Sequence, residues 1–209
     1  MIILYGRNQS RSSRALWALE EAELEYDYQQ IRLGRTGLNG ARSEFYMKLN
    51  PQGKAPTLVD GDLVVTESAA ILNYIASLVP DKQLIPHNDI KLRARYDQLC
   101  FFVLSELEQP LWTSAKHRFA LPKKLRLANI DTTTHWEFAK AITALNSLLD
   151  DQKFAVNQHF TMADILICQT LTWADNNGFN VPDNLLSYSH AIYKRPAYLR
   201  ALKAQQNDE

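Results

Sequence analysis

The sequence has only two cysteines, seven glycines and eight prolines in 209 residues, and its basic and acidic side chains are equal in number. Two cysteines far apart, Cys100 and Cys168, cannot staple a disulfide scaffold. Each falls in an amphipathic helical stretch, where an unpaired thiol is a small buried residue. So little glycine and proline excludes collagen-like and low-complexity chains. With 23 lysines and arginines against 23 aspartates and glutamates, no net charge draws the whole molecule to nucleic acid or an anionic membrane, and neither is expected as a partner. No apolar run approaches the roughly 20 residues that cross a bilayer, and no basic, apolar, small-residue export leader opens the chain, so a cytoplasmic location is expected. The five histidines, at 87, 117, 135, 159 and 190, show no ligand spacing with one another or with the cysteines, so no metal is expected. Glycine patterns for phosphate or dinucleotide binding are missing too, which removes the common nucleotide enzymes.

What is present suffices for a substantial core. The 46% hydrophobic and 22% charged fractions are those of an ordinary folded chain, and the length allows two modest domains at roughly 100–200 residues each. The first third alternates short strands with helices: Ile2 to Tyr5, a helix through Ala15, Leu16, Leu19 and Ala22, then Tyr26 to Ile31. That order favours a parallel pair joined by a right-handed crossover. A helix is expected over Ala41 to Lys48. Thr57-Leu58-Val59 and Leu63-Val64-Val65, separated by Asp60-Gly61-Asp62, read as an antiparallel hairpin. Ser68 to Leu78 closes this region as a helix that Pro80 stops.

Beyond Pro80 only helical patterns appear. Leu92, Tyr96, Leu99, Val103 and Leu107 are spaced along one long helix, and Trp136, Ala139, Ile142, Leu145 and Leu149 along the apolar face of another. Thr161-Met162-Ala163-Asp164 spells a capping box with aspartate in the place of glutamate, and shorter helices are expected around Pro182 to His190 and Pro196 to Ala204. The expected fold is α/β plus all-α: a first domain over residues 1–80, a linker, and an all-helical domain over 87–209.

The stretch Asn50-Pro51-Gln52-Gly53-Lys54-Ala55-Pro56-Thr57-Leu58, followed by Glu67-Ser68-Ala69-Ala70-Ile71-Leu72, resembles the glutathione-binding half of the cytosolic glutathione S-transferases. Ser10-Arg11-Ser12-Ser13-Arg14 after Leu4-Tyr5, the capping box, and Arg195-Pro196-Ala197 extend the likeness over nearly the whole chain. The resemblance implies a thioredoxin-like first domain, a helical-bundle second domain, a homodimer, and glutathione as co-substrate for attack on a small apolar electrophile. It also implies that Ala55-Pro56 is cis, leaving the N–H and C=O of Ala55 to pair with an extended peptide. In this picture Ser68 takes the γ-glutamyl carboxylate, Glu67 the ammonium, and Lys54, with Gln52 as a weaker candidate, the glycyl carboxylate. Other readings of the same residues are plainer: Pro56 as a rigid loop proline, Thr66 or Ser68 as a helix cap, Lys54 as a solvated lysine.

The nucleophile implied is the thiol of glutathione, and the protein must hold it as thiolate. Lowering a thiol pKa of ~8.5 by two units takes about 2.7 kcal/mol of preference for the anion. A hydroxyl donor and a helix N-terminus are suited to supply it. Ser10 stands four residues before Arg14, the spacing of the serine in theta-like members, and the beta-like cysteine would also fall there; Ser12 is the second candidate. Tyr5, the activating residue type of other classes, is expected to be structural. Glu106 resembles a residue that in beta-class members reaches the partner subunit's glutathione, although a solvated helix carboxylate fits equally, and Glu108 stands where those members carry histidine. Trp112, with Phe102 and Phe119 behind it, is a candidate lining residue for the second-substrate pocket, core packing being the alternative. Two rivals share the fold: a non-catalytic binding or scaffold protein, and a zeta-like glutathione-dependent isomerase, whose pattern has a cysteine in the first turn where this chain has none.

Overall fold

The computed structural model describes residues 1–150 and 152–206. The chain divides into two compact units, residues 1–85 with 193 onward, and residues 86–192.

In the first unit four strands, β1 (Ile2–Gly6), β2 (Tyr26–Gln30), β3 (Thr57–Asp60) and β4 (Leu63–Thr66), form one sheet in the order β2-β1-β3-β4. β1 runs parallel to β2 and antiparallel to β3, and β3 pairs antiparallel with β4, so the parallel pair and the hairpin stand as the sequence pattern requires. The β3–β4 loop holds two residues, Gly61 and Asp62, with Gly61 at φ 61°, a value glycine adopts without a Cβ penalty. Together with α1 (Ser12–Ala22), α2 (Glu44–Leu49) and α3 (Ser68–Leu78), the sheet makes the thioredoxin-like arrangement. Helix α2 begins three residues later than the sequence suggests, because Ser43 caps it by accepting from the N–H of Tyr46 at 3.2 Å.

The helix spanning Pro196–Gln206, α9 when counted along the chain, belongs to this unit, whereas the sequence pattern assigned everything from residue 87 onward to the second domain. It packs on α1, which explains why α1 is buried nearly all round and not on one face alone. Arg195 clamps the buried Glu21 at 2.6 and 2.7 Å, Trp17 donates to the same carboxylate at 3.0 Å, and Arg200 holds Glu20 at 2.7 Å. The Trp17 and Tyr198 rings pack tilted against each other, with centroids 4.8 Å apart. None of this is visible in periodicity, because Arg195 and Glu21 are far apart in sequence.

The second unit is helical: α4 (Ile90–Phe102), α5 (Glu108–Ala115), α6 (Ile130–Leu149), α7 (Met162–Asp175) and α8 (Asp183–Ile192). The single long helix expected after residue 90 is interrupted by a π turn at Val103–Leu107 before α5, and a second π turn, Lys116–Ala120, follows it. On α6 the buried seam is Thr134, Phe138, Ala141, Ile142, Leu145 and Leu149; Trp136 and Ala139, expected on it, are exposed. The two side chains lie on the turn beside Phe138, whose face the core takes. α7 is buried almost all round and packs against α4, α5 and α8. Cys100 and Cys168 are free and buried, and burial pushes the Cys100 thiol up to about 12.

Candidate functional site

Asn50, only 2% exposed, organises the loop before β3. Its Oδ1 accepts from the N–H of Gln52 at 3.1 Å, and its Nδ2 donates to the carbonyl of Lys54 at 2.9 Å and to Thr57 Oγ1 at 3.0 Å. Tyr46, fully buried on α2, donates its hydroxyl to the same Lys54 carbonyl at 2.6 Å and meets Thr57 Oγ1 at 2.9 Å. The loop is thereby fixed from inside while the Lys54 side chain stays exposed. Gly53 turns the chain at φ 61°, and a Cβ on it would come within 2.9 Å of the Ala41 carbonyl oxygen. Gly53→Ala is therefore expected to cost about 2 kcal/mol, seen as a fall in Tm of roughly 4–8 °C, since both the left-handed backbone and a backbone oxygen oppose the methyl group. The Ala55–Pro56 peptide is cis, and neither the N–H nor the C=O of Ala55 has a hydrogen-bond partner among the described residues.

Where β4 passes into α3, Glu67 adopts φ 66°, ψ 117°, a conformation that non-glycine residues avoid and that tends to persist where function requires it. Its side chain makes no cap to the helix and instead accepts from Gln52 Nε2 at 3.2 Å. Ile71 N–H to the Glu67 carbonyl, 3.0 Å, is the first turn-closing bond, so the N–H groups of Ser68, Ala69 and Ala70 precede the helical ladder. Ser68 is 4% exposed, and its Oγ accepts from Nη1 of the fully buried Arg14 at 3.2 Å. A guanidinium can only donate, so the Ser68 oxygen is committed as acceptor and its own O–H remains to be given. A helix N-terminus, a donating hydroxyl and a buried cation behind it make a receptor for a carboxylate. The Gln52–Glu67 hydrogen bond joins the loop before β3 to the start of α3.

In the turn between β1 and α1, the Ser10 hydroxyl donates to the carbonyl of Arg7 at 2.6 Å and its oxygen accepts from the N–H of Ser12 at 3.2 Å. Ser12 is 1% exposed; its Oγ accepts from the N–H of Arg7 at 3.0 Å and lies 3.1 Å from Ser10 Oγ. Ser10, half-buried, is thus the outer hydroxyl of the pair and Ser12 the inner one. Burial first, and then the Asp27 carboxylate, pushes the Tyr5 phenol above its usual range. Its ring packs edge-on against Phe45 and Tyr46.

Residues 1–77 match the family described as "Glutathione S-transferase, N-terminal domain". The chain is 31% identical to glutathione S-transferase Z1 of Arabidopsis thaliana over 95% of its own length and 90% of that protein's. It belongs to the glutathione S-transferase family. Glutathione S-transferase 2 of Anopheles gambiae is 32% identical over 86% of this chain and 83% of its own. Among solved structures, a sphingomonad glutathione S-transferase complexed with glutathione is 26% identical, with a TM-score of 0.84 over 98% of this chain and 99% of that one. The chain is accordingly an enzyme of this family with its two-part fold, a thioredoxin-like region and a mostly helical one.

Of the site residues read from the transferase pattern, Ser10, Ser12, Gln52, Lys54, Ala55, Pro56, Glu67 and Ser68 all belong to the first unit, and Glu106 and Trp112 to the second. Within that second unit Glu106 is exposed on the first π turn, beside a groove lined by Phe102, Gln109, Trp136 and Lys140. Trp112 is half-buried on α5 and does not line that groove, so these two candidates do not converge there. Phe119 is 68% exposed on the second π turn. Three side chains that matter were not singled out by pattern. Asn50 and Tyr46 set the loop, and Arg14 sits behind Ser68; Arg14 served only as a spacing mark for Ser10, although a charged residue within an otherwise apolar helix stretch marks a buried cation with a task.

Proposed function

We propose that this chain binds glutathione along the Lys54–Ala55–Glu67–Ser68 surface, activates its thiol as thiolate with Ser10, and transfers it to a small apolar electrophile as a cytosolic homodimer. The carrying observation is the Ser68 hydroxyl, whose oxygen is committed to buried Arg14 while its proton is left for an incoming carboxylate beside the open N-terminus of α3. Glu67, turned away from its helix, offers its carboxylate to the neighbouring ammonium, and Gln52 steadies it. Ala55 supplies one donor and one acceptor to the peptide in strand fashion, and Lys54 answers the glycyl carboxylate.

The thiol gives up its proton to solvent, and the anion takes the Ser10 O–H in place of the Arg7 carbonyl. A charged acceptor outcompetes a neutral one for a single proton. Ser12, held by the Arg7 N–H, keeps the turn in shape beneath it. The thiolate then forms a carbon–sulfur bond as the leaving group departs with its electron pair, or as an epoxide oxygen opens. Ser10→Ala removes one donor to the anion, worth about 1.5–3 kcal/mol, and is expected to raise the pKa of the bound thiol by roughly one to two units. Thiolate ultraviolet absorbance against pH measures this directly, and the rate–pH profile should move to higher pH with it. An unchanged thiol pKa would leave Ser10 as a helix-capping residue and nothing more.

A further inference from the structure

The activating turn is not held by its own residues alone. Asn8 donates Nδ2 to the Gln205 carbonyl on α9 at 2.6 Å, and its Oδ1 accepts from the Tyr28 hydroxyl on β2 at 3.0 Å. The Gln205 side chain returns to the same turn, where its Oε1 accepts from Ser13 Oγ at 3.3 Å and from the N–H of Gln9 at 3.5 Å. Gln9 and Asn8 immediately precede Ser10, and Gln9 sits at φ 55°, so this segment needs outside support to keep its shape. One amide therefore ties strand, turn and C-terminal helix together two residues from the hydroxyl that meets the thiol. Gly6 closes the approach from beneath, since a Cβ there would come 2.6 Å from the Tyr28 ring and 2.9 Å from Ser12 Cβ.

We propose that Asn8 and Gln205 are positioning residues: they fasten the end of α9 to the Ser10 turn, so that activation of the thiol depends on the last helix of the chain. This rests on Ser10 being the activating group. The glutathione grip lies elsewhere, on Lys54, Ala55, Glu67 and Ser68, so loosening the turn should spoil activation and spare affinity. Small displacements of a donor are enough for that, because stabilisation of an anion depends on where the hydroxyl points.

The test uses the full chain with Asn8→Ala, Gln205→Ala, the milder Tyr28→Phe, and Ser10→Ala as reference. Three quantities are read for each: the pKa of bound glutathione thiol by absorbance, the Kd for glutathione by calorimetry, and Tm. Asn8→Ala should lower the thiolate fraction at pH 6.5 about three- to tenfold while Kd stays within twofold of wild type. Tyr28→Phe and Gln205→Ala should shift the thiol pKa in the same direction by less, and Asn8→Ala combined with Ser10→Ala should add little to Ser10→Ala alone. A thiol pKa at the wild-type value in Asn8→Ala and Gln205→Ala, whatever happens to Tm, overturns the proposal. Should Asn8→Ala fail to fold, Tyr28→Phe and Gln205→Ala decide it by the same pKa reading. Failure of the underlying reading looks different: Ser10→Ala itself then leaves the thiol pKa unmoved.

Discussion

Replacing Glu67 and Ser68 together by alanine is expected to abolish measurable glutathione binding while the protein stays folded. Each of the two removes a charge-assisted hydrogen bond to the γ-glutamyl end, worth about 1.5–3 kcal/mol, so the pair weakens binding by roughly 10²–10⁴-fold. The two losses are not alike in their effect on the protein. Ser68→Ala also deprives the buried Arg14 guanidinium of an acceptor at 3.2 Å, and should cost about 1–3 kcal/mol of stability on its own. Glu67 pays nothing into the helix, for its side chain makes no cap, while its backbone is held at φ 66°, ψ 117°. Glu67→Gly should therefore keep stability or raise it by up to about 1 kcal/mol, read as an unchanged or higher Tm, while losing the ammonium partner; strain retained at a position that contributes binding gives this opposition of stability and function. Calorimetric titration of glutathione with thermal melts of the single and double variants measures all of it. Undiminished binding in the double variant would put the peptide site elsewhere. If the wild type itself takes up no glutathione, a binding or scaffold role on this fold, exercised on a protein partner, becomes the reading to pursue.

Much of this was legible in the residues because short-range rules govern it. The hairpin at Asp60-Gly61-Asp62 follows from turn chemistry, α3 begins at Ser68 as its pattern requires, and the capping box is made as its letters spell it. The Asn50 to Pro56 loop was recognisable as a unit, but why it is shaped so was not. Asn50 could be read as a turn residue, yet it is a buried hub with three partners counting both ends of its amide, and Tyr46, its helper, looked like one more aromatic of α2. Burial of a polar side chain depends on what tertiary packing brings over it, and a one-dimensional pattern does not carry that information.

The helical part was less legible for a related reason. An apolar period locates a helix but does not say which of two adjacent rows the core takes; Phe138, not Trp136, faces inward on α6. The π turns at Val103–Leu107 and Lys116–Ala120 each insert one residue into the ladder, which shifts every side chain beyond them by about 100° around the axis, and no composition cue marks them. α9 was placed correctly in sequence and wrongly in space, because its attachment rests on Arg195 with Glu21 and Arg200 with Glu20, pairs that sequence separation conceals. In the turn between β1 and α1 the residue types were readable and the hierarchy was not. Burial and hydrogen bonding distinguish half-buried Ser10, which gives its proton to the Arg7 carbonyl, from buried Ser12, which accepts from the Arg7 N–H.

The largest loss of stability is expected at Asp164, at the start of α7. Its carboxylate is fully buried at the start of α7 and accepts from four donors: the N–H of Ala155 at 2.8 Å, the N–H of Thr161 at 2.7 Å, Thr161 Oγ1 at 3.1 Å and the Tyr188 hydroxyl at 2.5 Å. It therefore serves three segments at once, capping α7, pinning the residues before it and anchoring α8 through Tyr188. Asp164→Ala leaves two buried backbone donors and a buried phenol with nothing to receive them, at about 1–3 kcal/mol for each group stranded. Partial relaxation and entry of water reduce the sum, so a loss of about 4–5 kcal/mol is expected, a third or more of a stability of roughly 5–15 kcal/mol and, at the low end of that range, nearly all of it. Asp164→Asn keeps the shape and one acceptor oxygen but turns an amide donor toward other donors, and should lose about half as much. Thr161→Ala removes only one hydroxyl from the same box and should cost about 1 kcal/mol. The order Ala, then Asn, then Thr161→Ala in urea midpoints is the discriminating result, because a simple helix cap would make all three variants alike.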